Sequence, residues 1–99
     1  MEIHYTTALR EYMAEKGCSD IAVEVAASNH SDIEVTEIYV RLVSRKMLKQ
    51  LRKKNYRIIE TSTGKVALPP YRLHYAPVVT FGLKRFLIFK TITYDGISL

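Results

Sequence analysis

The run Phe86-Leu87-Ile88-Phe89-Lys90-Thr91-Ile92-Thr93-Tyr94 decides how this chain is read. Eight of its nine residues are β-branched, aromatic or leucine, and none is Gly or Pro, a composition that suits a strand better than a helix. Phe86 to Phe89 is apolar on both faces, the pattern of a strand covered on two sides. From Lys90 onward the pattern alternates, with Lys90, Ile92 and Tyr94 on one side and Thr91 and Thr93 on the other. The expectation is one long strand running from a covered centre to a half-solvated edge. It stops at Asp95-Gly96, and the rest of the chain packs around it.

At 99 residues this is a single domain, 1–99. A chain of that size buries roughly 60–70% of the surface its unfolded form exposes, enough for one modest core. A hydrophobic content of 47% with 25% charged residues belongs to a globular protein and excludes a disordered one. No basic n-region or long apolar segment is present, so neither a signal peptide nor a spanning helix is expected. One cysteine, Cys18, rules out an internal disulfide framework and makes the cytoplasm the expected location.

The net charge of +5 is unevenly spread. Residues 1–40 set Arg10 and Lys16 against eight carboxylates, whereas residues 41–99 set thirteen Lys or Arg against Glu60 and Asp95. That asymmetry points to an anionic partner or to self-association between an acidic and a basic face.

Outward from the opening run, the other elements follow from periodicity and caps. Thr6 or Thr7 caps a helix ending near Lys16, with Gly17 as its left-handed stop. Leu9, Tyr12 and Met13 share its apolar face. Ile21 to Ala27 alternates as a strand, Ser28 to Asp32 is a polar loop, and Ile33 to Val43 is a second strand. Ser44 caps a basic helix to about Lys54, closed by Asn55, with Met47, Leu48 and Leu51 on one arc. Tyr56 to Thr61 and Lys65 to Leu68 form a hairpin, with Gly64 taking any positive φ. Pro69-Pro70 leads into an irregular stretch to Pro77, and Gly82 marks a bend or bulge in the closing segment. The fold class is α+β: a mixed, mostly antiparallel sheet with two helices.

Three segments carry a likeness: Ala8-Leu9-Arg10-Glu11-Tyr12 with Gly17, the strand Ile21–Val25 entering a short loop, and the ending Lys84-Arg85-Phe86-Leu87-Ile88-Phe89-Lys90 with Tyr94-Asp95-Gly96-Ile97. In these the chain resembles the HesB/IscA-like domain, the fold of A-type iron–sulfur carriers. It is most similar to a small bacterial branch with paired cysteines or a cysteine and a selenocysteine. The resemblance implies reactive residues in the loop after the first strand, and for the carriers a Cys-x-Cys near the C-terminus. This sequence has Ser28-Asn29-His30-Ser31-Asp32 in that loop and no such C-terminal pair. An iron–sulfur cluster normally takes four thiolates, and a dimer of this chain supplies two. The motif is degenerate, and the expectation is a non-catalytic member of the fold that has lost its cluster-ligating cysteines. It would work through protein–protein or self-association, linked to iron–sulfur or sulfur metabolism, with no cofactor.

Other chemistry is sparsely represented. His30, Asp32 and Cys18 are the weak metal candidates, without the paired spacing that zinc or iron sites use. No phosphate loop, nucleophile elbow or acid–base carboxylate pair is present, so no enzyme is expected. Arg45, Lys49, Arg52 and Lys53 on the basic helix make a nucleic-acid-binding module the alternative reading. Tyr71, Arg72, His74 and Tyr75, set between prolines, are candidates for a pocket or an interface. A membrane partner is not expected, since three apolar residues make too small an inserting face.

Overall fold

The computed structural model describes residues 1–28 and 34–99, with side chains described outside 27–36. In chain order the elements are β1 (Glu2–Tyr5), α1 (Thr7–Lys16), β2 (Asp20–Ser28), β3 (Glu34–Val43), α2 (Arg45–Lys53), β4 (Arg57–Glu60), β5 (Lys65–Leu68), β6 (His74–Phe86) and β7 (Phe89–Ser98). The strands form one sheet in the order β1-β6-β7-β3-β2-β5-β4. The β1–β6 and β2–β5 pairs are parallel and the others antiparallel, so the α+β class with a mixed sheet and two helices holds.

Both helices are built as their caps dictate. Thr6 Oγ1 accepts the Leu9 amide at 3.3 Å, and Ser44 Oγ accepts the Met47 amide at 3.1 Å. Each helix ends in a Schellman motif. Gly17 (φ 65°) sends its amide to Ala14 O while Cys18 reaches back to Met13 O. Asn55 (φ 69°) sends its amide to Arg52 O while Tyr56 reaches Leu51 O.

The helices lie on opposite faces of the sheet. Along β2, Ile21 and Val23 point to the layer that holds Leu9 and Met13 of α1 with Val40, Val66, Val79 and Phe81. Ala22 points the other way, to Leu48 and Leu51 of α2 with Val43 and Ala67. The period of two along the strand produces this split. The first layer is the larger, with Phe81, Leu9, Ile21, Val23, Val66 and Val79 fully buried.

The opening run is not one strand. It is a hairpin: Phe86 pairs with Phe89 across the two-residue turn Leu87-Ile88, and β7 returns antiparallel to β6. Phe86, Leu87, Ile88 and Phe89 are 68%, 86%, 89% and 65% exposed, so the apolar run is uncovered on both faces. Propensity alone does not locate a turn that lacks Gly, Asn, Asp and Pro, the residues that normally mark one. Nor does β7 stop at Asp95-Gly96. It runs on to Ser98, with Gly96 (φ 89°) so close to β6 that a Cβ would lie 2.5 Å from Val78 O.

The segment from Tyr71 to Pro77 is not irregular throughout: it enters β6 at His74, and the register slip between β6 and β7 falls between Tyr75 and Thr80. Gly82 is neither bend nor bulge. It pairs in register with Thr93, and a Cβ there would press on the Thr93 and Thr6 side chains. Gly64 has no positive φ; it is required because a Cβ would sit 1.8 Å from Ser19 O. Finally, β1 has no counterpart in the sequence reading. Four residues alternating Glu-Ile-His-Tyr are too short to register alone, and their partner, Val78 to Phe81, lies far along the chain.

The Gly64 contact has a direct consequence. Gly64→Ala should lower stability by roughly 2 kcal/mol or more, since backbone and not a flexible side chain must move. Urea denaturation of the variant measures it; an unchanged midpoint would contradict the close approach.

Candidate functional site

The basic helix borders a groove. Its wall on one side is α2; on the other it is the Thr61–Gly64 turn joining β4 to β5, with the Ser19-Asp20 connector at the end. The groove encloses about 630 Å³. The turn wall is held by one side chain: Thr61 Oγ1 donates to Gly64 O at 2.6 Å and accepts the Gly64 amide at 3.1 Å, with Tyr5 Oη 3.1 Å away. Arg45, Lys49 and Arg52 line it from α2, and Lys65 from β5. Lys53, the fourth cation singled out on this helix, is exposed but does not line the groove.

Four cations, Arg45, Lys49, Arg52 and Lys65, line the groove against two carboxylates, Asp20 and Glu60, so its charge is positive. Asp20 also lines it, but it is buried and its carboxylate accepts the Lys65 amide at 2.9 Å. Glu60 sits 3.9 Å from the Lys65 ammonium. Among the described residues, no carboxylate pairs with Arg45, Lys49 or Arg52. The first turn of α2 has no acidic residue, so Arg45 and Lys46 lie at the positive end of the helix dipole. Such placements, like the i, i+4 repeat of like charge, each cost roughly 0.2–1 kcal/mol. This is an unfavourable arrangement for the free helix and a favourable one for an anion.

The second surface is the β6–β7 tip. β1 follows β6 only to Phe81, and β3 meets β7 at Val40–Ile92, so beyond these points, among the described residues, the two strands pair only with each other. Leu87 takes φ 56°, a left-handed backbone that costs a leucine roughly 1–2 kcal/mol. Lys84, Arg85 and Lys90 stand exposed behind the tip, and residues 82–94 contain no carboxylate. The Lys90 ammonium lies 5.1 Å from the centre of the Tyr12 ring, which ties the ribbon's base to α1.

The remaining candidates separate. His30 and Asp32 lie outside the described residues. Cys18 is half-buried, and its thiol donates to Val43 O at 3.1 Å. His74 and Tyr75 line a shallow cleft with Gly96 and Ile97 at the β6–β7 slip, whereas Tyr71 and Arg72 are exposed elsewhere. Tyr71 and Arg72 do not line that cleft. Among the described residues no three His, Cys, Asp or Glu side chains come together as a metal site, and no helix is long and apolar enough to cross a membrane. The tip was missed as a surface because its residues were read as core. The absence of any carboxylate between Gly82 and Tyr94 was the available signal.

Searches against protein-family models and against curated proteins gave no match. Among solved structures the chain is similar to Escherichia coli SufA, described as involved in the biosynthesis of iron–sulfur clusters. The TM-score is 0.51 at 12% identity, over 96% of this chain and 80% of that one. The likeness is one of fold, and it agrees with the HesB/IscA-like arrangement of two helices and a mixed sheet found in this chain.

Three tyrosines give the molecule a measurable pH response. Burial raises the Tyr5, Tyr56 and Tyr75 hydroxyls above their ordinary value of 10, Tyr56 most, where the nearby Glu24 carboxylate adds to the effect. A raised pKa means the fold favours the protonated phenol. That stabilisation is complete below pH 10 and is lost as the pH climbs through and beyond it. Thermal unfolding should show Tm falling above pH 10, with a shallower fall in Tyr56→Phe; an identical slope would contradict this assignment.

Proposed function

We propose that this protein is a non-catalytic member of the HesB/IscA-like fold that acts by protein–protein association, with a second copy of itself as the partner. One observation carries the reading: four large apolar side chains are exposed at the end of a two-stranded ribbon, on a strained turn. Burying each contributes roughly 1.5–3 kcal/mol, so covering the tip outweighs the cost of holding it out. Leu87 in a left-handed conformation is poor turn chemistry, and backbone outliers of this kind cluster at functional positions.

Charge favours a second copy. The collar of Lys84, Arg85 and Lys90 repels another collar, so the tips do not meet head-on. The exposed side of α1 carries Glu11 and Glu15 next to each other in space, with the exposed Arg10 and Lys16 to either side. A two-fold pair in which each tip reaches the partner's α1 sets cations against carboxylates twice and closes on itself. The likeness to SufA supports a setting in iron–sulfur or sulfur metabolism. The loop sequence Ser28-Asn29-His30-Ser31-Asp32 and the single cysteine support loss of the cluster-binding thiols.

Sedimentation equilibrium tests this. Wild type should dimerise as concentration rises, while L87G/I88N, which puts glycine at the turn's one positive φ and a polar residue after it, should stay monomeric with an equal or higher Tm. K84E/R85E should also be monomeric, and adding E11K/E15K should restore pairing. A wild type that is monomeric throughout, or a tip variant that dimerises normally, would overturn self-association. Reconstitution with iron and sulfide under argon should leave the protein colourless; a stoichiometric cluster lost in Cys18→Ser would sink the claim of lost thiols.

A further inference from the structure

The geometry points to the groove between α2 and the β4–β5 turn as a binding site for phosphoryl groups. Three observations converge there. Arg45, Lys49 and Arg52 recur along one side of the helix, and the 1.5 Å rise per residue spreads them over roughly 10 Å. Lys65 reaches the same space from a different element, so the charge comes from two walls rather than from one solvated helix face. The two carboxylates that also line the groove lie on the Lys65 side and not against the row: Asp20 accepts the Lys65 amide at 2.9 Å, and Glu60 is 3.9 Å from the Lys65 ammonium.

The ligand must be an oxyanion with several acceptor oxygens. Guanidinium groups at both ends of the row, Arg45 and Arg52, suit the paired oxygens of a phosphoryl group, and Lys49 between them acts as a point charge. Leu48 lies in the groove beneath them and is buried, giving the site a low-dielectric floor where these attractions are less screened. The Thr61-centred hydrogen bonds and the Gly64–Ser19 approach hold the opposite wall without a ligand. A phosphorylated small molecule and a nucleic-acid backbone both present this chemistry. The site is independent of the β6–β7 tip and of self-association.

Titration calorimetry on the full chain at low salt tests it with two probes, inorganic pyrophosphate and a short single-stranded RNA. Two double variants remove equal charge: R45Q/R52Q inside the groove, K46Q/K53Q on the helix but outside the lining. All four positions are exposed, so both variants should keep the wild-type Tm. R45Q/R52Q should weaken binding by about tenfold or more and K46Q/K53Q by no more than about twofold, with Lys65→Gln in between. RNA binding tighter than pyrophosphate, and falling steeply with salt, identifies a nucleic-acid backbone as the source. Pyrophosphate binding as well as or better than RNA identifies a compact ligand. No heat with either probe, or equal losses in the two double variants, would overturn the site.

Discussion

The backbone around Phe81 is the constraint on which the rest of the fold depends. Phe81 sits in β6 with Tyr5 of β1 on one side and Tyr94 of β7 on the other. Its carbonyl accepts the Thr6 amide at 2.9 Å, and Thr6 is the cap from which α1 starts. Its ring, fully buried, lies 6.0 Å from that of Tyr5. One residue therefore fixes the parallel edge strand, the entry of α1 and the register of the closing hairpin. Gly82 follows at once because Thr6 and Thr93 fill the space a side chain would need.

That arrangement also explains why the molecule has two unlike surfaces. Pairing with β1 ends at Phe81, so β6 and β7 leave the sheet as a ribbon and carry the apolar tip away from the core. On the opposite face and toward the far edge, the parallel β2–β5 pair brings Lys65 beside the connector before β2, and α2 covers the small residues Ala22 and Ala67. The groove is the gap left between that helix and the β4–β5 turn. Small residues beneath α2 let it lie close; its long cations then line the rim.

The neighbouring structure of SufA adds a fold and no more. Three features of this chain stand out beside the fold: one half-buried cysteine, a helix whose groove-lining cations have no carboxylate partner among the described residues, and a hairpin tip without a polar residue. The sheet tolerates all three because none is asked to fill the core. Evolution of binding on a stable scaffold commonly proceeds through such exposed positions.

Much of the fold was legible locally. Caps at Ser44, Gly17 and Asn55, the two-residue period of Ile21 to Val25 and the apolar arc of α2 are short-range patterns, and short-range physics is what a sequence displays. The candidate groove was half legible: Arg45, Lys49 and Arg52 follow from helical spacing, while Lys65, Asp20 and Thr61 join them only through pairing with distant strands. Phe86 to Phe89 shows the limit most clearly. Hydrophobic side chains that read as core stand in solvent, because burial depends on what the rest of the chain brings alongside. Composition determined that this segment is β. Only the tertiary structure decided that it turns, since the pairing of Phe86 with Phe89, with no third strand among the described residues to cover them, is a property of the whole sheet.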